Sequence, residues 1–299
     1  METVEVVYGV LLTLALVLNG VVLTGATPLR PLFAPLREPR LLIGIILLDL
    51  VVVPLVIIGT SELLDVDTVT RAALTIVAAA SCGPIGIALA RLARGDLPLG
   101  VTLVVGLGAL NIASVPIITG LHLPASITIP LSGLLTNLVG LVILPLALGR
   151  LAAAVVARRG MSTEAWGRAL GLLRRLSDLL LLGAVATAVT IDHDDTLAIL
   201  GGPVLVIALM MMLTVTVGAR LVTADPARIR TIAVTINARA VGLALTIAAL
   251  QLADVPGLRA TILTYGGLTQ VVPLLVVLLL RVALRGRRAG GTAEVSAPR

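Results

Sequence analysis

Apolar runs about twenty residues long recur from one end of the chain to the other, and a helix needs about that length to span roughly 30 Å of hydrocarbon. Inside lipid every backbone N–H and C=O must find its partner within the protein, so runs of this kind fold as helices. The 299 residues are 58% hydrophobic and only 13% charged, with a mean hydropathy of +1.13. Soluble domains carry about a quarter of their residues as charges. An all-α, polytopic integral membrane protein is the expected class.

Nine spans are expected, at 6–25, 41–60, 68–93, 98–120, 125–149, 170–190, 196–221, 228–252 and 258–284. The first has no basic region before it and no small-residue cleavage site after it, so it is read as a retained helix, not a signal peptide. Alternate loops differ in charge. One set holds Arg30, Arg37 and Arg40; Arg91 and Arg94; Arg158, Arg159, Arg168, Arg174 and Arg175; Arg220, Arg228 and Arg230; and Arg285, Arg287 and Arg288. The other reads "SELLDVD", "LHLPAS", "IDHDD" and "QLADVPGLR", acidic or neutral apart from Arg259. The positive-inside rule places the first set in the cytoplasm, with the N-terminus outside and the C-terminus inside a cell (inner) membrane. The net charge of +6 is therefore an orientation signal, and no nucleic acid is expected as a partner. The connector "ARRGMSTEAWGRALGLLRR" is expected to be interfacial and partly helical, with Trp166 at headgroup level. One membrane domain, 1–289, would be followed by a disordered cytoplasmic tail, 290–299.

Two spans are broken. The third carries Cys82, Gly83 and Pro84 at its middle and Gly86 just beyond. Pro84 lacks a backbone donor and the glycines tolerate non-helical dihedrals, so an unwound crossover is expected there. The eighth has Thr235, Asn237 and Arg239, then Gly242, at comparable depth. Non-helical backbone survives in a bilayer only where protein buries it or water lines it. Two interrupted helices of opposite orientation, one in each half, are the pattern of two inverted repeats with a transport site at their crossing. Proline kinking with close packing of small residues is the alternative.

These segments resemble the bile acid:sodium symporter family, within a superfamily that also holds arsenite permeases and auxin-efflux-type carriers. "SCGPIGIALARLARGD" (81–96) is similar to the family's G-G-T-A-S-N followed by L-A-R-G, and "TINARAVGL" (235–243) to its E-x-G-x-Q-N-S-G-L. "RLLIGIILLDLVVVP" (40–54) is like the family helix that ends in proline after an intramembrane glutamine. The resemblance implies a core bundle of spans two to four and seven to nine, moving against a panel of spans one, five and six. It also implies sodium ligands, and here the chain departs. The family's Ser-Asn falls on Gly86-Ile87, its Glu on Thr235, its Gln on Arg239, the Asn after that on Ala240, and the Ser and Thr of the next helix on Gly100 and Val104. Sodium needs several hard oxygens, and glycine, isoleucine and valine side chains offer none.

The glutamine of the second helix falls on Asp49. A Gln–sodium–Gln arrangement is thus expected to be exchanged for an Asp49–Arg239 ion pair. Physics leads to the same pair. A lone arginine at mid-bilayer costs from about 3 to more than about 10 kcal/mol, and pairing at about 4 Å recovers roughly 4 kcal/mol at an effective dielectric near 20. The guanidinium would occupy the space of a bound cation; a purely structural pin between the second and eighth helices is the alternative.

Thr269 and Gln270, Asn111, Asn237 and Thr235 are further candidates for substrate or ion contact, against helix–helix hydrogen bonding. A half-helix N-terminus after Pro84 would suit an anion. Cys82, where arsenite permeases also place a cysteine, reads first as a small buried hydrophobe. His193 reads as part of a solvated acidic loop. With a single cysteine there is no internal disulfide and no paired zinc site. No nucleophile motif, phosphate loop or metalloprotease motif occurs, so neither an enzyme nor ATP drive is expected, and no cofactor or metal. The expected function is secondary or facilitative transport of a small organic anion by alternating access, not sodium-coupled, in a monomer or homodimer within the lipid bilayer. A degenerate transporter fold acting as sensor or interaction partner, and an arsenite-permease-like efflux protein, are the other readings.

Overall fold

The computed structural model describes residues 2–26, 38–127, 129–160, 162–191, 199 and 202–291, and among these the chain is helical, with one isolated antiparallel bridge and no strand. Helix α1 (Glu2–Ala26) is one apolar rod. The next apolar run is built of α2 (Pro39–Leu47), a π-helical turn (Leu48–Val52) and α3 (Val53–Leu63). Pro54 explains the turn. It has no N–H for the carbonyl four residues back, so the ladder widens and the Val53 N–H bonds Leu48 O. The same device precedes Pro145, where a π-turn (Val139–Ile143) joins α7 (Leu131–Leu138) to α8 (Leu144–Arg158).

Between these runs lie α4 (Thr68–Ala79), α5 (Ile85–Leu92) and α6 (Leu97–His122). After α8 come α9 (Thr163–Ile191), α10 (Pro203–Val222), α11 (Pro226–Asn237), α12 (Val241–Gln251) and α13 (Leu258–Gly291). Three of the few carboxylates serve as N-caps. Asp67 accepts from the N–H groups of Val69 and Thr70, both at 2.9 Å, Asp96 from Leu99 at 3.0 Å, and Asp225 from Ala227 at 2.8 Å.

Among the described residues four helical stretches, Val6–Ala26, Pro39–Leu63, Leu97–His122 and Pro203–Val222, are long and apolar enough to cross a membrane, and α4 and α12 are shorter apolar helices. The surface supports a lipid setting. Leu47, Leu55, Leu172, Leu179, Leu182 and Leu213 are exposed, while Asp49, Thr75, Ser81, Asn111 and Arg239 are buried. Polar groups inside and leucines outside invert the pattern of a soluble domain. The connector is more helical than expected: α9 begins at Thr163 and runs on unbroken. Half-buried Trp166 donates from Nε1 to the Gly25 carbonyl at 3.1 Å and so ties α9 to the end of α1. At the other terminus α13 continues through Gly291, past the expected start of the tail; 292–299, Arg30, Arg37 and His193 lie outside the described residues.

Helix α1 packs along α8 and α9. Ser177 donates to the Ala15 carbonyl at 2.9 Å and Thr24 to that of Leu146 at 2.8 Å. The closest approach is at Gly149, where a Cβ would stand 2.3 Å from Val21 O and from Thr24 Oγ1. A second set of helices packs together, α10 on α3 and α11, α4 on α3, α6 and α13, and α5 on α11, and it meets the first where α1 lies on α12 and α9 on α13. At one end of this set Arg228 forks onto Glu38 (Nη1–Oε2 2.6 Å, Nη2–Oε1 2.8 Å), with Asp96 at 3.7 Å and Asp225 at 3.8 Å. The "ARGD" turn beneath it has Arg94 at φ 53°. Its carbonyl accepts from Arg230 Nη2 at 2.9 Å, and Asp96 O accepts from Thr231 at 3.2 Å.

Two outcomes follow from this packing. Gly149→Ala should force α1 and α8 apart at an unyielding backbone contact and cost about 1–3 kcal/mol, read as a lower Tm of the purified protein. The Arg228 hydrogen bond holds the Glu38 carboxyl below the ordinary glutamate range. A depressed pKa contributes stability above the ordinary glutamate value that is lost as pH falls through the folded-state value. The Tm difference between wild type and Glu38→Gln should therefore be present at neutral pH and close in acid.

Candidate functional site

Helix α4 ends at Ala79 and leaves its last carbonyls without partners in their own helix. Each is answered in a different way. Ile76 O accepts the Ala80 N–H at 3.1 Å, and Ala79 O accepts the Ser114 hydroxyl at 3.1 Å. Val77 O accepts from Arg239 Nε at 3.3 Å, and Ala78 O accepts from Arg239 Nη2. The third arm of the guanidinium, Nη1, is hydrogen-bonded to Asp49 Oδ1. Both side chains of this ion pair are wholly buried. Arg239 thus sits on the negative end of a half-helix dipole and against a carboxylate, two stabilising fields in one place.

Asp49 reaches it from the π-turn, where its side chain is buried. Arg239 reaches it from the non-helical link 238–240 between α11 and α12. That link crosses the break 80–84 between α4 and α5 as a short antiparallel bridge. Gly83 N–H donates to Ala238 O at 2.6 Å and Ala240 N–H to Ser81 O at 2.8 Å. The backbones meet because Gly83 is bare: a Cβ there would lie 3.1 Å from Arg239 O. Cys82, the only cysteine, is buried in the bridge, its thiol 3.4 Å from Leu103 O.

The other expected residues divide. Asn111 belongs to the crossing as a cap: its Oδ1 accepts the Ser81 N–H at 2.8 Å. Gln270 is brought there too, its Nε2 3.5 Å from Arg239 O. Thr269 is buried but bonds Gly266 O in its own helix at 3.2 Å. Asn237 ends α11 and donates to Ala233 O at 2.7 Å. Pro84 caps α5, whereas Gly86 and Gly242, expected as crossover backbone, lie inside α5 and α12. Gly86 serves the packing instead. A Cβ there would be 2.9 Å from Thr235 Cγ2, so its bareness lets α5 and α11 cross. Thr235 also lies beside Gly100, whose Cβ would be 4.0 Å from Thr235 Oγ1. Gly86 and Gly100 are therefore both neighbours of Thr235.

Four buried polar atoms here have no hydrogen-bond partner: Asp49 Oδ2, Ser81 Oγ, Thr235 Oγ1 and Asn237 Oδ1. In a native interior such atoms are few and call for an explanation by function or water. Sequence reasoning missed Ser81 and Ser114. Ser81 opens the "SCGP" break, and Ser114 follows Asn111 by three residues on the same face of α6; that spacing was the available signal. Among the described residues no group of histidines, cysteines and carboxylates could hold a metal.

Buried charge at the crossing of two interrupted helices, inside an apolar-surfaced bundle, defines a multi-pass membrane protein of the transporter kind. Comparison with known proteins supplies the family. A model of the sodium bile acid symporter family matches residues 11–194, more than half of the chain, and the protein belongs to that family. The match takes in Asp49, the first crossover and Asn111, and ends before the helices that carry Arg239. Among curated proteins no match was found.

Asn111→Ala would strip the acceptor from the buried Ser81 N–H and should cost about 1–3 kcal/mol. Its Tm should fall further than that of Ser114→Ala measured beside it. The serine change removes one donor from a carbonyl, and an under-satisfied carbonyl is better tolerated than an orphaned N–H.

Proposed function

We propose that this protein carries a small organic anion across a cell (inner) membrane by alternating access, without sodium coupling, using the Asp49–Arg239 pair where relatives hold a cation. One observation carries the reading. The guanidinium is gripped by a carboxylate from the π-turn and by two carbonyls at the end of α4. Carboxylate, helix-end carbonyls and unwound backbone are the donors that transporter folds present to alkali cations. A tethered cation fills that set in the paired state, so no sodium gradient is drawn on through it. Of Gly86, Ile87, Gly100, Val104 and Thr235, only Thr235 brings a side-chain oxygen, which leaves the other expected cation position short of ligands.

The moving parts would be a panel of α1, α7–α8 and α9 and a core of α2–α6 and α10–α13. That α1 packs most extensively along α8 and α9 supports that division. The solute would lie near the crossing, beside Asn237, Thr235 and Gln270, where the start of α5 favours an anion. Thr269 and Asn111 act from behind, through packing and capping. Proton coupling through Asp49 requires the pair to separate during the cycle; otherwise the protein is a uniporter or exchanger.

A pair that only pins α2–α3 to α11–α12 would have the same geometry, and three variants separate the two cases. Asp49→Asn and Arg239→Gln each leave a buried charge unanswered and should cost about 3–5 kcal/mol, and the double variant should recover much of that. Arg239→Gln also vacates the cation position, so sodium should raise its Tm and leave the wild type unmoved. Uptake into proteoliposomes should fall in both single variants. Three folded variants that transport like wild type, or a wild-type Tm that depends strongly on sodium, would overturn the reading. A thermal-shift screen of the wild type against anionic metabolites finds the solute class, and absence of flux for every hit favours a sensor.

A further inference from the structure

Arg259 breaks the charge pattern of its loops, and the crossing has no use for it. It lies in the first turn of α13, where a cation opposes the helix dipole. Its position is explained by α1: the guanidinium carbon stands 5.3 Å from the centroid of the Tyr8 ring. That is cation–π distance, and the ring is 1% exposed. Tyr8 is on the proposed panel and Arg259 on the proposed core.

Their surroundings make the contact consequential. Near Tyr8 the contact between α1 and α12 is overlaid by an open surface groove of about 680 Å³, lined by Val6, Gly9 and Val10 on one side and Ala249 and Leu250 on the other. A second junction at this end is the amide of Gln251 at the end of α12, which lies against the bare backbone of Gly133 in α7. The opposite end differs. There Arg228, Glu38, Asp96 and Asp225 join α2, α6 and α11, all within the core. Ionic contacts at that end stiffen one body, whereas the Arg259–Tyr8 contact spans two.

We propose that Arg259 over Tyr8 is a latch that holds the panel against the core at the end away from Arg228, and that its release opens the crossing to that face. The proposal rests on the alternating-access reading above. The face in question is the one that the arginine-poor loops assign to the outside.

Cys82 supplies a native reporter, since it is the only cysteine, 2% exposed, and sits in the crossing. Full-length protein in vesicles of defined orientation is treated from either face with a membrane-impermeant methanethiosulfonate, and Cys82 modification is followed by mass. Losing a cation–π contact should raise the outer-face rate about three- to tenfold in Arg259→Met and in Tyr8→Leu. The two changes together should raise it by less than the product of their separate effects, because they share that contact. Tyr8→Phe keeps the ring and Arg259→Lys keeps the cation, so both should stay near wild type. Unchanged outer-face rates in the Met and Leu variants, with Cys82 still modified from the inner face, overturn the latch and leave the transport reading intact. So does a Phe variant that behaves like Leu. Cys82 unmodified from both faces in every variant overturns the latch and alternating access together.

Discussion

A guanidinium buried where a helix stops is the constraint around which this protein is arranged. An interrupted helix in a bilayer leaves carbonyls that no water can satisfy, and α4 has such an end at mid-bundle. Arg239 satisfies two of them and Asp49 balances its charge. Neither group is tolerable alone at that depth, and each stabilises the other. The three parts therefore fix one another: the break in α4–α5, the link between α11 and α12, and the π-turn that carries Asp49.

Backbone proximity makes the arrangement possible. Gly83 lets the two breaks cross with main-chain hydrogen bonds, and Gly86 lets α5 lie close against Thr235 of α11. Asn111 and Ser114 of α6 hold the broken end in register from the third side. Around this rigid knot the remaining polar atoms, Asp49 Oδ2, Ser81 Oγ, Thr235 Oγ1 and Asn237 Oδ1, are left open. The scaffold around these atoms is hydrogen-bonded while they themselves are buried without partners.

Much of this was legible in the residues. The apolar runs located the helices, "SCGP" and "NARA" located the two breaks, and the cost of a deep arginine required an acidic partner that Asp49 could supply. Other features were not. Nothing in the pattern distinguished Asn111 as a cap from Asn111 as a ligand, because both uses need the same amide. Gly86 and Gly242 looked like broken backbone, yet both are helical; glycine signals either unwinding or close approach, and only the neighbour across the interface decides. Nothing in the pattern told that the Trp166 indole N–H would donate to Gly25.

The sequence by itself determined that the chain is helical and membrane-embedded, because length and hydropathy act on each segment independently of its neighbours. It also determined that Arg239 needed a counter-charge, because burial energies do not depend on which helix answers. Tertiary structure alone decided that the guanidinium has three arms on three acceptors, that Gly86 lies against Thr235, and that Arg259 covers Tyr8. Those are contacts between residues far apart in the chain, set by how helices cross, and no local pattern encodes them.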